Sequence, residues 1–388
     1  MPSDPQPSII QLFASFFRLG LTAFGGPSMI AYIRRMTVEK KLWLDAETFS
    51  DGVAFCQMVP GATAMQMAAY VGLKKRGVTG AGASFIGFGL PAFLLMMALA
   101  ALYTSTRNLP IVISAFSGLQ AIIVAVIANA TLSFGKITLK DWKTFAIAGI
   151  AAALFGLNVN PIIVILLAAA SGLVLIKSRQ PNPDRSDSSV PTQTYTKPFL
   201  LILTVSVIGF FLLYIFIRML FNLAILMFRI DLFAFGGGFA SVPLMFHEVV
   251  QVRNWMDSQT FMNGIVLGQV TPGPIVITAT FIGYLLGGPL GGVIATIGIF
   301  LPSFMLVIGI SPYFDRLRTS PTFNKVINGV LCSFVGLLLS VTIRFTFNVH
   351  WDLSHLLLAA GALVALLMKV DILWVVVIGT LFSVIMFM

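Results

Sequence analysis

The chain has 388 residues, of which 58% are hydrophobic and only 10% charged, against about 25% charged residues in a soluble domain. That balance excludes an ordinary soluble enzyme and indicates an all-α polytopic membrane protein, because lipid offers backbone groups no partners and its spans must be helices. The net charge of +10 falls in short loops between apolar runs, where basic residues orient helices in the bilayer instead of binding nucleic acid.

The first apolar stretch, 8–33, is interrupted by Phe24-Gly25-Gly26-Pro27. Upstream lie Pro2, Pro5 and Pro7 with no basic residue, unlike the n-region of a signal peptide, so this stretch is expected to stay in the mature protein. Loop 34–48 carries Arg34, Arg35, Lys40 and Lys41 against Glu39, Asp45 and Glu47. A second stretch, 49–72, is interrupted at Pro60-Gly61 and followed by Lys74, Lys75 and Arg76. Segments near 80–104, 111–131, 143–157 and 161–176 complete a first unit at 8–176, the last two short enough to pair as a hairpin. Residues 177–197 are polar, with Pro and Ser and no apolar periodicity, and read as a linker. An apolar run at 198–217 has no counterpart in the first unit. A second unit, 219–388, runs through segments at 219–246, 259–284, 289–311, 326–343, 353–368 and 370–388. Many of these runs approach the roughly 20 residues needed to cross about 30 Å of hydrocarbon.

The second unit repeats the first. Phe17, Arg18, Ala23, Phe24, Gly25 and Gly26 recur as Phe228, Arg229, Ala234, Phe235, Gly236 and Gly237. After a one-residue slip, Trp43, Phe49, Gln57, Pro60 and Gly61 recur as Trp255, Phe261, Gln269, Pro272 and Gly273. The first offset then returns, pairing Gly72, Gly77, Gly80, Gly87, Pro91 and Phe93 with Gly283, Gly288, Gly291, Gly298, Pro302 and Phe304. Paired segments interrupted by Gly and Pro are the sequence pointer to a secondary transporter with its site between two repeats. The unpaired run at 198–217 adds one crossing, which would invert the second repeat relative to the first. Charge agrees: loop 73–79 holds three basic residues and its counterpart 284–290 none. Loops 34–48 and 73–79 are both basic, so a re-entrant hairpin turning at Pro60-Gly61 is expected in place of a single span.

Glycine costs about 1 kcal/mol and proline about 3 kcal/mol in a helix interior. One such break reads as a kink or a close packing contact. Four in two matched pairs (Phe24-Gly25-Gly26-Pro27 with Gly236-Gly237, Pro60-Gly61 with Pro272-Gly273-Pro274) read as non-helical backbone lining a cavity, its open N–H groups suited to an anion. Arg18 and Arg229 stand in mid-segment, where a cation costs roughly 2.5–3.5 kcal/mol, and are expected to help neutralise that anion. Their plainer roles are snorkelling or internal pairing, with Asp231 the obvious partner for Arg229. Gln57 and Gln269 precede the Pro-Gly breaks and offer neutral amide donors, with Thr63, Gln66, Thr278 and Thr280 as weaker candidates. Coupling to protons needs a group that titrates in the working range; Glu39, Asp51, Asp231, His247 and Glu248 are the candidates, each also readable as a solvated loop charge. Trp43 and Trp255, beside charged loops, are expected as interfacial anchors. Cys56 and Cys332 lie in apolar segments without metal-ligand spacing. No HExxH, GxSxG, CxxC or paired-carboxylate constellation is present, so no enzyme, metal or cofactor is indicated.

LGLTAFGGP (19–27), VEKKLW (38–43), FCQMVPGA (55–62), GFGLP (87–91), GQVTPGP (268–274) and GIFLPSF (298–304) together resemble the chromate ion transporter family, across nearly the full chain. The resemblance implies a two-domain protein of the bacterial inner membrane that exports chromate, confers chromate resistance and is driven by the proton motive force. It also implies that FGGP and PGP line the path and that Arg18 is functionally sensitive. Two departures stand out, Ala62 where a second proline would complete the first-half PGP and Gly238 where the second-half FGGP would have proline. Chromate is a tetrahedral dianion like sulfate, so a carrier of sulfate or another oxyanion is the nearest alternative, followed by an anion channel. The expected partners are the oxyanion and the bilayer, with a homodimer left open.

Overall fold

The computed structural model describes residues 6–24, 28–176 and 195–387, which are helical with no β-strand among them. In chain order the first half holds α1 (Ile9–Thr22), α2 (Ser28–Arg34), α3 (Ala46–Met58), α4 (Thr63–Thr106), α5 (Pro110–Thr138), α6 (Trp142–Gly156) and α7 (Pro161–Leu175). Then come α8 (Thr196–Phe216), α9 (Arg218–Phe233), α10 (Ser241–Phe246), α11 (Ser258–Val270), α12 (Thr278–Ile310), α13 (Phe314–Thr319), α14 (Pro321–Asn348), α15 (Leu353–Leu367) and α16 (Ile372–Phe387). Five stretches among the described residues are long and apolar enough to cross a membrane: Thr63–Thr106, Pro110–Thr138, Thr196–Phe216, Ile275–Thr319 and Pro321–Asn348. The linker at 177–197 lies almost wholly outside the described residues.

The hairpins follow from glycine. Asp45 caps α3 by accepting from the Thr48 N–H, a bond that holds its carboxyl below the usual range. The helix ends at Met58, just before Pro60, and Gly61 takes φ +122°, a conformation side chains disfavour. The chain then folds back: Gly52 rests against the Tyr70 ring, and the Phe55 and Tyr70 rings lie 6.0 Å apart. Residues equidistant from Gly61 therefore touch. A second reversal breaks α4 at Arg76 and Gly77, where Gly77 has φ 61°. Gly72 and Gly80 there meet backbone to backbone, leaving no room for a Cβ on either. The chain thus goes in along α3, returns along 63–75, and runs on in a longer apolar arm along 78–106. This places loops 34–48 and 73–79 at the same end, as their shared basic charge demands.

The second half repeats this backbone closely. Gly273 has φ +116° and Gly264 packs on Phe281, while Gly287 and Gly288 repeat the dihedrals of Arg76 and Gly77 to within a few degrees. The repeat also covers places where the residues differ. Leu42 and Asn254 share φ values of 52° and 51°, and Asn158 and Lys369 share 63° and 64°. One-turn π-helices stand at Arg35–Lys40 and His247–Val252. Each is followed by a tryptophan whose N–H returns to it, Trp43 to Thr37 at 2.7 Å and Trp255 to Val249 at 2.8 Å. Trp43 is not a membrane-interface anchor, being only 4% exposed, whereas Trp255 is partly buried. Lys41 and Arg253 cover the two rings at 5.6 and 5.1 Å, so each indole closes a loop onto the protein.

The halves interlock. α5 packs between α15 and α16 of the other half, and α14 packs between α6 and α7. Small residues set these contacts. A Cβ on Gly172 would lie 2.9 Å from the Gly329 Cα, and the Gly118 N–H donates to Ser383 Oγ at 3.0 Å. α8 has no buried residue and packs on α9 and α12 at the periphery.

Leucine at Gly329 must push α14 off α7, a change expected to cost at least the ~1–3 kcal/mol of core overpacking. Leucine at Gly149 meets open space within 4 Å and is expected to leave stability unchanged. Thermal unfolding of the two detergent-solubilised variants, followed by size-exclusion chromatography, checks the contrast.

Candidate functional site

A helix that stops leaves up to four carbonyls without partners, and a helix that starts leaves as many N–H groups. Inside a membrane neither set can turn to water. The two halves answer each other's need. α1 ends at Ala23, whose carbonyl accepts from the Gly273 N–H at 2.9 Å, and α9 ends at Ala234, whose carbonyl accepts from the Gly61 N–H at 2.9 Å. Each hairpin tip therefore docks on the broken helix end of the opposite half. The motifs singled out in the sequence thus converge at Ala23, Phe24, Pro60, Gly61, Phe235, Gly236, Pro272, Gly273 and Pro274. Gly25, Gly26 and Pro27 lie outside the described residues.

Gly236 and Gly237 carry φ of +95° and +90°. A Cβ on Gly237 would sit 3.0 Å from Thr63 Oγ1, just past the first tip, and one on Gly238 3.1 Å from a Val276 methyl, just past the second. The glycine run passes between both tips. Ala62, which leads into α4, makes no side-chain capping bond, and the first turn of α4 starts beside the same junction, where Thr63 meets Gly237. A cavity of about 470 Å³ between α8, α9 and α12 is lined mainly by apolar side chains such as Phe199, Phe228 and Met305, and does not suit a dianion.

The two tips differ in side chains. At the first, the Ala62 N–H donates to Ser303 Oγ at 2.9 Å, and Ser303 donates both its hydroxyl, at 2.7 Å, and its N–H, at 2.9 Å, to Asp231 Oδ2. Gln66 donates its amide to the Pro60 carbonyl. At the second tip the matching positions are Ala92 and Gly20; a Cβ on Gly273 would lie 2.8 Å from the Ala92 Cβ. One tip is polar and the other is apolar and tight.

Asp231 is therefore not the partner of Arg229. That guanidinium lies 3.9 Å from Glu248, which Arg253 also approaches at 3.4 Å. Arg18 is exposed on α1 within about a turn and a half of Ala23, and Gln57 is exposed whereas Gln269 is buried. Among the remaining coupling candidates, Glu39 is exposed, His247 Nδ1 lies 3.0 Å from Gln251, and Asp51 bonds Arg318 of α13 at 2.8 Å. This last pair ties the first hairpin to the second half. The matched position on the other hairpin, Asn263, is tied instead to Gln120 and Tyr103 of the first half at 2.9 and 3.1 Å. Ser303, Arg318, Gln120 and Tyr103 were not singled out in the sequence; an amide in the apolar run of α5, which also holds Asn129, was the available signal for Gln120.

A Ser117–His355–Asp352 chain, at 3.0 and 2.8 Å, has the connectivity of a nucleophilic triad. Asp352 is the cap of α15, Phe387 stacks on the imidazole at 4.2 Å, and Ser117 sits in mid-helix, where backbone N–H groups are already used and form no oxyanion hole. The chain is structural.

A family described as chromate transporter matches residues 10–173 and again 221–384. An uncharacterised transporter of Methanocaldococcus jannaschii is 42% identical over 382 residues, 98% of this chain and 94% of its own length. A chromate transport protein of Pseudomonas aeruginosa is 30% identical over 366 residues, 87% and 81% of the two lengths. A probable chromate transport protein of Synechococcus elongatus is 28% identical over 370 residues, 93% and 90% of the two lengths. No solved structure matches the chain.

Ser303→Ala strips Asp231 of a hydroxyl donor and leaves the Ala62 N–H without its acceptor. The expected destabilisation is about 1–3 kcal/mol, the cost of an unsatisfied buried polar group. In a double-mutant cycle with Asp231→Asn, measured by thermal unfolding, the two changes should be non-additive.

Proposed function

The chain belongs to the chromate transporter family, and on that premise we propose that it is a secondary active transporter that exports chromate across the bacterial inner membrane, driven by the proton motive force. The observation that carries the reading is the reciprocal docking of each hairpin tip on the other half's broken helix, Gly61 on Ala234 and Gly273 on Ala23. A junction made of backbone from both halves changes whenever one half moves against the other, which is what alternating access requires.

The transport units are 8–176 and 219–388, joined by the linker at 177–197 and the helix at 198–217, and inverted relative to one another. Basic loops 34–48 and 73–79 then face the cytoplasm. Chromate is held at the junction of the tips, by Phe24, Gly236 and Gly237 together with the sequence candidates Gly25, Gly26 and Pro27. Half-helix N-termini after Pro60-Gly61 and Pro272-Gly273-Pro274 supply N–H donors and a positive dipole, and Gln57 and Gln269 supply amides. Arg18 and Arg229 lie on the helices that lead into the junction, and their guanidinium forks suit a tetrahedral oxyanion. With this polarity, the Asp51–Arg318 pair lies toward the cytoplasm and the Asn263–Gln120–Tyr103 cluster toward the outside. Each ties one hairpin to the opposite half and must loosen when its side opens.

Everted membrane vesicles test the reading. Labelled chromate uptake should saturate, collapse with a protonophore, and fall under sulfate competition only as far as the site fails to discriminate. Uptake that neither saturates nor responds to the protonophore indicates an anion channel, and sulfate uptake without chromate uptake indicates a sulfate carrier. Arg18→Gln should lower chromate flux by about tenfold to a hundredfold, the loss of one charge-assisted hydrogen bond, with protein level unchanged. Pro60→Ala and Pro272→Ala should reduce flux more than expression, compared on immunoblots of the same vesicles.

A further inference from the structure

Asp231 is completely buried, and so is Gln66. Both side chains stand close behind the first tip: the Gln66 amide nitrogen and Asp231 Oδ2 lie 2.7 and 3.2 Å from the point where a Cβ on Gly61 would stand. Oδ2 is fully engaged by Ser303. Asp231 Oδ1 and Gln66 Oε1, both acceptors, have no hydrogen-bond partner. A buried acceptor without a donor is costly, and an ionised carboxylate with one bare oxygen more so. A single proton on Oδ1 neutralises the carboxylate and turns its bare oxygen into a donor, and Gln66 Oε1 is a buried acceptor in want of one. The elements packed on α9 offer no counter-charge. α12 has only Tyr284, α8 has Lys197 and Tyr214, α10 has no titratable residue, and α9 itself has Arg218 and the Glu248-paired Arg229. No charged side chain is among the groups acting on the Asp231 carboxyl. A metal ion would need a larger oxygen shell than two free acceptors.

We propose that Asp231 carries the coupling proton, bound on Oδ1 and shared with Gln66 Oε1, and that Ser303 relays its occupancy to the Pro60–Gly61 tip. In each cycle one O–H bond forms on Oδ1 with a proton taken from the external water and breaks with release to the cytoplasmic water, as chromate leaves in the opposite direction. The ionised form pulls harder on the Ser303 hydroxyl, whose oxygen also holds the Ala62 N–H, so the charge on Asp231 and the set of the tip are linked. The matched positions Gly20 and Ala92 have no titratable group, which confines the proton to one tip. The proposal rests on the transport reading above, and its test separates the two.

The first measurement uses purified protein without chromate. An infrared pH titration should show a protonated-carboxyl carbonyl band that is lost in Asp231→Asn, and Gln66→Leu should move its midpoint by about one pH unit, a tenfold change in proton affinity for one lost hydrogen bond. The second uses proteoliposomes. The ratio of pH-gradient-driven chromate accumulation to chromate exchange without a gradient should fall in Asp231→Asn to its no-gradient value. A band that persists in Asp231→Asn, or gradient-driven accumulation by that variant, overturns the proposal, as does a sodium gradient that replaces the pH gradient in the wild type. Should Asp231→Asn fail to fold, a midpoint unmoved by both Gln66→Leu and Ser303→Ala overturns it equally. A wild type with the band but no chromate flux removes the chromate reading and leaves the proton site in place.

Discussion

Everything in this molecule depends on how four interrupted helices satisfy their backbones where no water can reach. A soluble protein would let such ends hydrate. Here the end of α1 is completed by the tip at Gly273 and the end of α9 by the tip at Gly61, each across the boundary between halves. The two bonds are equal in length and related by the repeat, so neither half can finish its own backbone. The junction is therefore obligatory for stability. It is also a place where a rigid-body movement of either half must break and remake backbone hydrogen bonds, as it must the side-chain ties at Asp51–Arg318 and Asn263–Gln120.

On this shared backbone the two tips have diverged in side chains. The second is closed by Ala92 and Gly20 with contacts too tight for anything larger, and the first by Asp231, Ser303 and Gln66. The outer ties diverge in the same way, with an ion pair at Asp51–Arg318 and a neutral cluster at Asn263. Duplication supplies the geometry of two equivalent docking points. Substitution then gives one of them charge and leaves the other neutral, so the protein can respond differently to its two sides although its frame is nearly symmetric.

Much of the frame was legible because glycine and proline act through local backbone rules. The breaks at Pro60-Gly61 and Pro272-Gly273, the reversals at Gly77 and Gly288, and the hairpin inferred from two basic loops all stand in the structure. The return slip in the repeat has a physical origin as well. After the second tip the chain runs through a 3₁₀ turn, Ile275–Ile277. A 3₁₀ turn rises about 2.0 Å per residue against 1.5 Å in an α-helix, so three residues cover the length of four. The contacts were less legible, because they join residues remote in sequence. Asp231 stood near Arg229 in the chain and was an easy partner to assign, yet its carboxyl turns to Ser303 and the guanidinium to Glu248. The burial of Trp43 was hidden in the same way, since the π-helix that folds it inward leaves no mark in composition. Mutual repetition at Leu42 and Asn254 was invisible, because a left-handed backbone was met by two unlike residues.

The exchange of α5 and α14 between the halves sets an order of events during synthesis. α5 is made early, but the groove it fills belongs to α15 and α16, which are made long after it. Until then the first half waits in the membrane with its small-residue surface at Gly118 uncovered and its α1 end without the Gly273 donor. The usual rule that an N-terminal unit folds before its successor is made meets a first half here whose α5 packs on helices of the second. Damage to α16 therefore reaches α5, a helix synthesised long before it.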